Sequence, residues 1–243
     1  MRVACLQFDV QTCQREANSL QALTLARFAL QEGAEILIFP ELFLTGFCYS
    51  PQGPEEPPYH SLDPFRELVK DHGCLVMGSM MGGRLNLGFA LERGGLQTRA
   101  KVHPFGRERE YFQGGRTIAP LQTGRGMVGL QICYDLRFPE VARKLCAAGA
   151  EMLVTVAQFP AVRLDHWRTL VKARAIENQI HHLACNSCGQ SAGGQSMMVD
   201  PRGRVMASAE SDREVLLAEV DLAERDEARG EVTCWQDRRP EVY

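Results

Sequence analysis

The chain has 243 residues, of which 45% are hydrophobic and 23% charged, and its net charge is -3. That length supports one large core in a domain of roughly 200 to 250 residues, and the balanced charge argues against nucleic acid or another polyanion as a partner. No apolar run reaches the roughly 20 residues of a membrane span, so no membrane association is expected.

The pattern opens as a strand over residues 1–7 without the long apolar stretch of a signal peptide. Residues 15–32 carry Ala17, Leu20, Leu23, Ala26 and Leu30 at helical spacing, and Gly33 is the expected stop. An apolar strand over 35–39 completes a β-α-β opening and hands on Pro40 and Glu41. Segment 45–59 holds four prolines and two glycines and reads as a loop that walls a pocket beside Glu41. A helix over 63–71, stopped at His72-Gly73, and a strand over 74–80 repeat the rhythm, which points to parallel strands with covering helices.

Residues 84–100 read as two strands around a Gly94-Gly95 turn, an antiparallel excursion that ends at Lys101. Val128 to Ile132 forms a strand that delivers Cys133. A helix over 138–148 follows, with Pro139 in its first turn. After a strand over 151–157, Asp165 is expected to cap a helix running to about residue 179, with Trp167, Leu170, Val171 and Ala175 on its apolar stripe. Strands over 181–186, 196–199, 205–207 and 214–220 close the pattern, and a charged tail over 221–243 is expected to leave the core. No internal repeat is visible. These periods give an α/β fold with mixed sheet.

Nine cysteines without regular spacing fit reduced cytoplasmic thiols. Cys185-Asn186-Ser187-Cys188 has a two-residue spacing but no second pair to complete a metal set. Cys133 differs from the rest. It lies before a helix N-terminus in a polar turn, where a thiol is expected to ionise more readily than in an apolar core. Three strand ends therefore offer a carboxylate (Glu41), an ammonium (Lys101) and a thiol (Cys133). A thiol that attacks a carbonyl or nitrile carbon needs a base, and the oxyanion it creates needs a fixed cation. His103, His166, His181 and His182 show no ligand or triad spacing and receive no site role.

Phe39-Pro40-Glu41-Leu42-Phe43, Lys101-Val102-His103-Pro104-Phe105 and the stretch from Ile132 to Glu140 together resemble the nitrilase superfamily of carbon-nitrogen hydrolases, over nearly the whole chain. The resemblance implies a four-layer α-β-β-α sandwich, with residues 1–243 forming a single carbon-nitrogen hydrolase domain and 221–243 a tail at a subunit interface. It implies Glu41 as base, Lys101 at the oxyanion and Cys133 as nucleophile, with no metal or cofactor. The amide of Tyr134 is the second oxyanion donor, and Tyr134 and Phe159 are substrate-binding candidates. Glu108, with Phe112 and Gly115 at the family's intervals, is the second glutamate, and Glu110 is its rival. Arg174 and Glu177, in a further signature, are structural supports.

The implied activity is that of an amidase releasing ammonia from a small aliphatic or omega-amide substrate through a thioester, closest to the omega-amidase branch. The alternatives are a nitrilase, an acyl-transferring amidase or a non-catalytic thiol-binding relative. The chain departs from that branch at Gln158-Phe159, where Asn-Trp is common, and in the short interval from Lys101 to Glu108. A carboxylate-bearing substrate would need a further cation, for which Arg84, Arg107, Arg109 and Arg163 are candidates. The family also implies a homodimer or larger assembly through the 138–148 and 165–179 helices.

Overall fold

A computed structural model describes residues 1–189 and 192–242. Strand β1 (Arg2–Gln7) alternates strictly, Ala4 and Leu6 joining one apolar cluster and Val3 and Cys5 another, so both of its faces are covered. Helix α1 (Arg15–Gln31) leads to β2 (Ile36–Ile38), and α2 (Asp63–His72) leads to β3 (Leu75–Gly82). Gly73 ends α2 at φ +65°, where its N–H bonds the Val69 carbonyl. Strands β4 (Leu85–Glu92) and β5 (Gly95–Ala100) then return antiparallel.

The short helix α3 (Glu108–Tyr111) separates this unit from β6 (Leu121–Thr123) and β7 (Gly126–Ile132). Next come α4 (Pro139–Ala147), β8 (Met152–Ala157), α5 (Leu164–Asn178) and β9 (His181–Asn186). Strands β10 (Met197–Val199), β11 (Val205–Ser208) and β12 (Glu214–Glu219) precede α6 (Glu224–Glu231).

Two six-stranded sheets result, ordered β12-β1-β2-β3-β4-β5 and β11-β10-β9-β8-β7-β6. In each, three parallel strands are flanked by antiparallel ones: β1, β2 and β3 in the first, β7, β8 and β9 in the second. The sheets face each other through Ile36, Ile38 and Met77 on one side and Leu130, Val154 and Val156 on the other. Helices α1 and α2 cover the outer face of the first sheet, and α4 and α5 that of the second. This is the four-layer α-β-β-α sandwich that the sequence resemblance implies.

Four expectations need correction. The buried line of α1 is Asn18, Ala22, Ala26 and Ala29, whereas Leu20 is 66% exposed. Small residues allow close approach to the sheet, and Asn18 is buried because its carboxamide donates to the Gln11 and Leu44 carbonyls and accepts the Gln11 N–H. Asp165 does not cap α5. The helix begins at Leu164, and Asp165 lies inside the first turn, where its charge suits the helix dipole.

The tail does not leave the body. Gln179 Nε2 donates to the Ala228 and Val232 carbonyls, and Arg143 and Arg229 face the Trp235 ring at 5.3 and 4.0 Å, so α6 and the turn after it pack beside α4 and α5. Its last residue, Tyr243, lies outside the described residues. Finally, not all cysteines are reduced: Cys13 and Cys48 form a disulfide. The Cys13 N–H also donates to the Thr45 carbonyl, so the fold brings together two segments that are 35 residues apart in sequence.

The two sheets approach closely at Gly88 of β4. A Cβ there would lie 2.6 Å from Leu130 Cδ2 and 3.1 Å from Ile132 Cδ1 of β7. Gly88→Val is therefore expected to destabilise the protein by about 1–3 kcal/mol through overpacking. A wild-type melting temperature for this variant would show that the inter-sheet space is looser than described.

Candidate active site

The C-terminal ends of β2, β5 and β7 converge at one edge of the inter-sheet core. Glu41 follows β2 and is fully buried, and Lys101, the first residue after β5, is 1% exposed. Cys133 directly follows β7 and starts a 3-10 turn, Cys133–Arg137, with φ at +47°. Leu42, directly after Glu41, has φ +46°, and its N–H is held by Ser79 Oγ at 2.8 Å. Non-glycine residues adopt such angles only where the surroundings impose them, and here both lie next to or at a chemically useful side chain.

Lys101 Nζ stands between two carboxylates, 2.7 Å from Glu41 Oε1 and 2.8 Å from Glu108 Oε2. Helix α3 turns Glu108 inward, 6% exposed, and leaves Glu110 on the surface near Arg107. Geometry thus separates the two rival glutamates, and it is Glu108 that meets the lysine.

Burial disfavours the Lys101 ammonium, yet the charges of Glu41, Cys133 and Glu108 outweigh it and hold the group protonated well above the ordinary lysine range. Burial, reinforced by Glu41 and opposed by Lys101, pushes the Glu108 carboxyl up to about 7. For Cys133 the expectation of easy ionisation is overturned. Burial raises its thiol well above the ordinary value, Glu41 adds to the shift, and Lys101 only partly opposes it. Desolvation and two carboxylates outweigh the N-terminus of one short turn, so the thiol needs a partner to take its proton.

Several residues without a sequence-derived role hold this cluster together. Asp135 accepts the N–H groups of Val102 and His103 at 3.2 and 2.9 Å and lies 2.9 Å from His103 Nδ1, which ties the lysine segment to the cysteine turn. The His103 ring stacks on Phe138 at 3.7 Å, a supporting position. Gln158 donates its N–H to Glu41 Oε2 at 3.2 Å and its side chain to the Glu41 carbonyl at 2.9 Å. Asn86 donates to Glu41 Oε1 at 2.8 Å. Arg174 bonds the Leu136 carbonyl and pairs with Glu177, as its supporting reading requires.

A family model described as carbon-nitrogen hydrolase matches residues 2–230. The chain belongs to the carbon-nitrogen hydrolase family. It is 30% identical to the 2-oxoglutaramate amidase of Bacillus subtilis (strain 168) over 99% of this chain and 98% of that protein. It is also 28% identical to an omega-amidase of Mus musculus over 100% and 96% of the two chains. The crystal structure of Saccharomyces cerevisiae Nit3, a member of branch 10 of the nitrilase superfamily, superposes with a TM-score of 0.87 at 25% identity, covering 100% of this chain and 97% of that one.

In this carbon-nitrogen hydrolase, Cys133 opens onto a cavity of about 260 Å³ walled by Phe105, Tyr134, Phe159, Arg137 and Arg163. Both substrate-binding candidates, Tyr134 and Phe159, are therefore in its lining. Phe159 lies under the Arg137 guanidinium at 5.0 Å, and Arg137 Nη1 is 3.1 Å from His166 Nδ1. Among the four candidate arginines, Arg163 lines this cavity, whereas Arg84 lines a separate one with Tyr49 and Tyr111. The 45–59 loop contributes Tyr49, stacked on Tyr111 of α3 at 4.0 Å. Burial and the charges of Glu108 and Glu41 push the Tyr49 hydroxyl up to about 12. Among the described residues, no cluster of His, Cys, Asp and Glu could hold a metal ion, and no helix is long and apolar enough to cross a membrane.

The raised Glu108 carboxyl has a thermodynamic consequence. Folding favours its protonated form, so its stabilising contribution is complete below about pH 4.5 and is lost as the pH rises through about 7. The melting temperature of wild type minus that of Glu108→Gln is expected to fall across this window and to be flat on either side. A difference that rises with pH would contradict the assignment.

Proposed function

We propose that this chain is a cysteine-dependent amidase that hydrolyses the terminal amide of a short dicarboxylic acid. The observation that carries the reading is the Glu41–Lys101–Glu108 ion cluster beside a thiol at the mouth of an arginine-bearing cavity. Glu41 takes the Cys133 proton as Sγ attacks the amide carbonyl carbon. Lys101 and the Tyr134 N–H stabilise the oxyanion. The carbon-nitrogen bond breaks as Glu41 returns its proton to the leaving nitrogen, and ammonia departs from a thioester. Water then attacks the thioester, Glu41 accepts its proton, and collapse releases the carboxylic acid and restores the Cys133 thiol.

Glu108 orients Lys101 and the substrate amide. Arg137 and Arg163 supply the cation that a substrate carboxylate requires, while Phe105 and Phe159 flank a short carbon chain. The names of the relatives, 2-oxoglutaramate amidase and omega-amidase, support this substrate class.

The test is ammonia release from 2-oxoglutaramate, succinamate, simple aliphatic amides and the matching nitriles. Carboxylate-bearing amides are expected to be turned over best, and Arg163→Ala to raise KM for them alone. Cys133→Ala is expected to be inactive but folded, and Glu41→Gln and Lys101→Ala to lose about a hundredfold or more in rate. Glu108→Gln is expected to be more impaired than Glu110→Gln. Turnover of nitriles alone, or activity retained without the Cys133 thiol, would overturn the reading.

The same reading includes self-association as a homodimer or larger through α4 and α5. In support, Ile176 on α5 and the neighbouring Val162 are 49% and 87% exposed in the single chain. Sedimentation at micromolar concentration is expected to give at least a dimer, and a monomer there would count against it.

A further inference from the structure

The geometry points to Asn86 as a positioning residue that fixes which oxygen of Glu41 receives the thiol proton. This rests on the proposed role of Glu41 as the base. Asn86 lies on β4, 1% exposed, and holds two members of the cluster at once. Its backbone carbonyl accepts the Lys101 N–H at 2.8 Å, and its side-chain Nδ2 donates to Glu41 Oε1 at 2.8 Å.

Glu41 Oε1 therefore receives two short bonds, from Asn86 and from Lys101 Nζ, whereas Oε2 receives the longer 3.2 Å bond from the Gln158 N–H. An oxygen with two close donors has little electron density to offer a third. Oε2 is then the proton acceptor. Without Asn86, Oε1 would keep only Lys101 and Oε2 only the longer Gln158 bond, one donor each, and the carboxylate could exchange its oxygens; a second donor on Oε1 makes the two oxygens inequivalent.

The orientation of the Asn86 carboxamide supports this role. A carboxylate accepts but cannot donate, so the NH₂ end must face Glu41. The other end, Oδ1, is buried without a partner among the described residues. Leaving a buried oxygen unpaired costs stability, and a group retained at such a cost is better explained by what its donor does for the neighbouring carboxylate than by packing.

Two variants and one control test the inference, using ammonia release from the substrate turned over best. Asn86→Leu keeps the approximate volume and removes the donor. It is expected to lower kcat on the order of tenfold to a hundredfold with KM nearly unchanged, because the lost bond is made to a charged group that acts in the chemical step.

Asn86→Asp is the sharper probe. Two carboxyl groups at this distance share one proton, and while it is present the new side chain can still donate to Glu41. Its activity is expected to approach wild type at acidic pH and to fall as the pH rises and the shared proton is lost. A loss of kcat with KM nearly unchanged in Asn86→Leu, relieved in Asn86→Asp only where the new carboxyl group is protonated and can donate, is the pattern that a merely structural asparagine would not give.

Glu41→Gln serves as the control. If it retains turnover, the base assignment fails, and the inference about Asn86 fails with it. If it is inactive while a folded Asn86→Leu keeps wild-type kcat, the positioning role alone is wrong. Should the leucine variant not fold, as judged by its melting curve, the Asn86→Asp profile decides, and one that superimposes on wild type overturns the proposal.

Discussion

Everything in the site depends on one ammonium shared by two carboxylates in a place water hardly reaches. Lys101, Glu41 and Glu108 form a buried ion triad, with the Cys133 thiol alongside. Desolvating such charges is expensive, and the cluster is tolerable only because each has partners. Burial first, and then the surplus of negative charge that one ammonium leaves against two acids and an ionisable thiol, explains why Glu108 holds its proton to about 7 and why the thiol keeps its own. Against the cost of burial, the same negative neighbours hold the lysine protonated well above the ordinary lysine range. Held in that state, Lys101 is a poor acid but a dependable electrostatic anchor.

The fold supplies this cluster by placing strand ends from its two halves against each other. The order of three parallel strands with antiparallel flanks occurs in both sheets, and Glu41 leaves the first while Cys133 leaves the second. What joins the halves at the site is polar. Asp135 bridges the lysine and cysteine segments, and Gln158 reaches across 117 residues of sequence to hold Glu41. The apolar inter-sheet core sets the distance between the layers, and these bonds set the angles within it.

Much of this was legible in the sequence because it is local. The strands ending at Glu41, Lys101 and Cys133 follow from apolar runs closed by proline, glycine or a polar turn, and the nitrilase-like motifs assigned the three side chains to one place. Glu108 could be named from its interval to Phe112 and Gly115. Asn86 and Gln158 could not, because a buried amide has no periodic signature and its partners are distant along the chain. Asp135 and Arg137 sat in a stretch already singled out, so their positions were visible although their contacts were not. The phase of α1 was misread because a buried asparagine broke the apolar stripe. The Cys133 shift was misread because a helix terminus is a local feature, whereas burial belongs to the whole fold.

Strand β12 carries a consequence for how such a chain comes into being. It pairs with β1 over six residues, from Arg2 with Glu219 to Gln7 with Glu214, and the terminal ammonium of Met1 bonds the Val220 carbonyl. Strand β1 therefore waits for β12, which is synthesised after all the strands between them. Until then β1 is an open edge with unsatisfied backbone groups, the kind of surface that recruits foreign strands. The second sheet has no such debt to the opposite end of the chain, since β6 to β11 are contiguous. Vectorial synthesis thus leaves the half that bears Glu41 and Lys101 with an exposed flank until β12 follows, while the half that bears Cys133 can seal itself as it emerges.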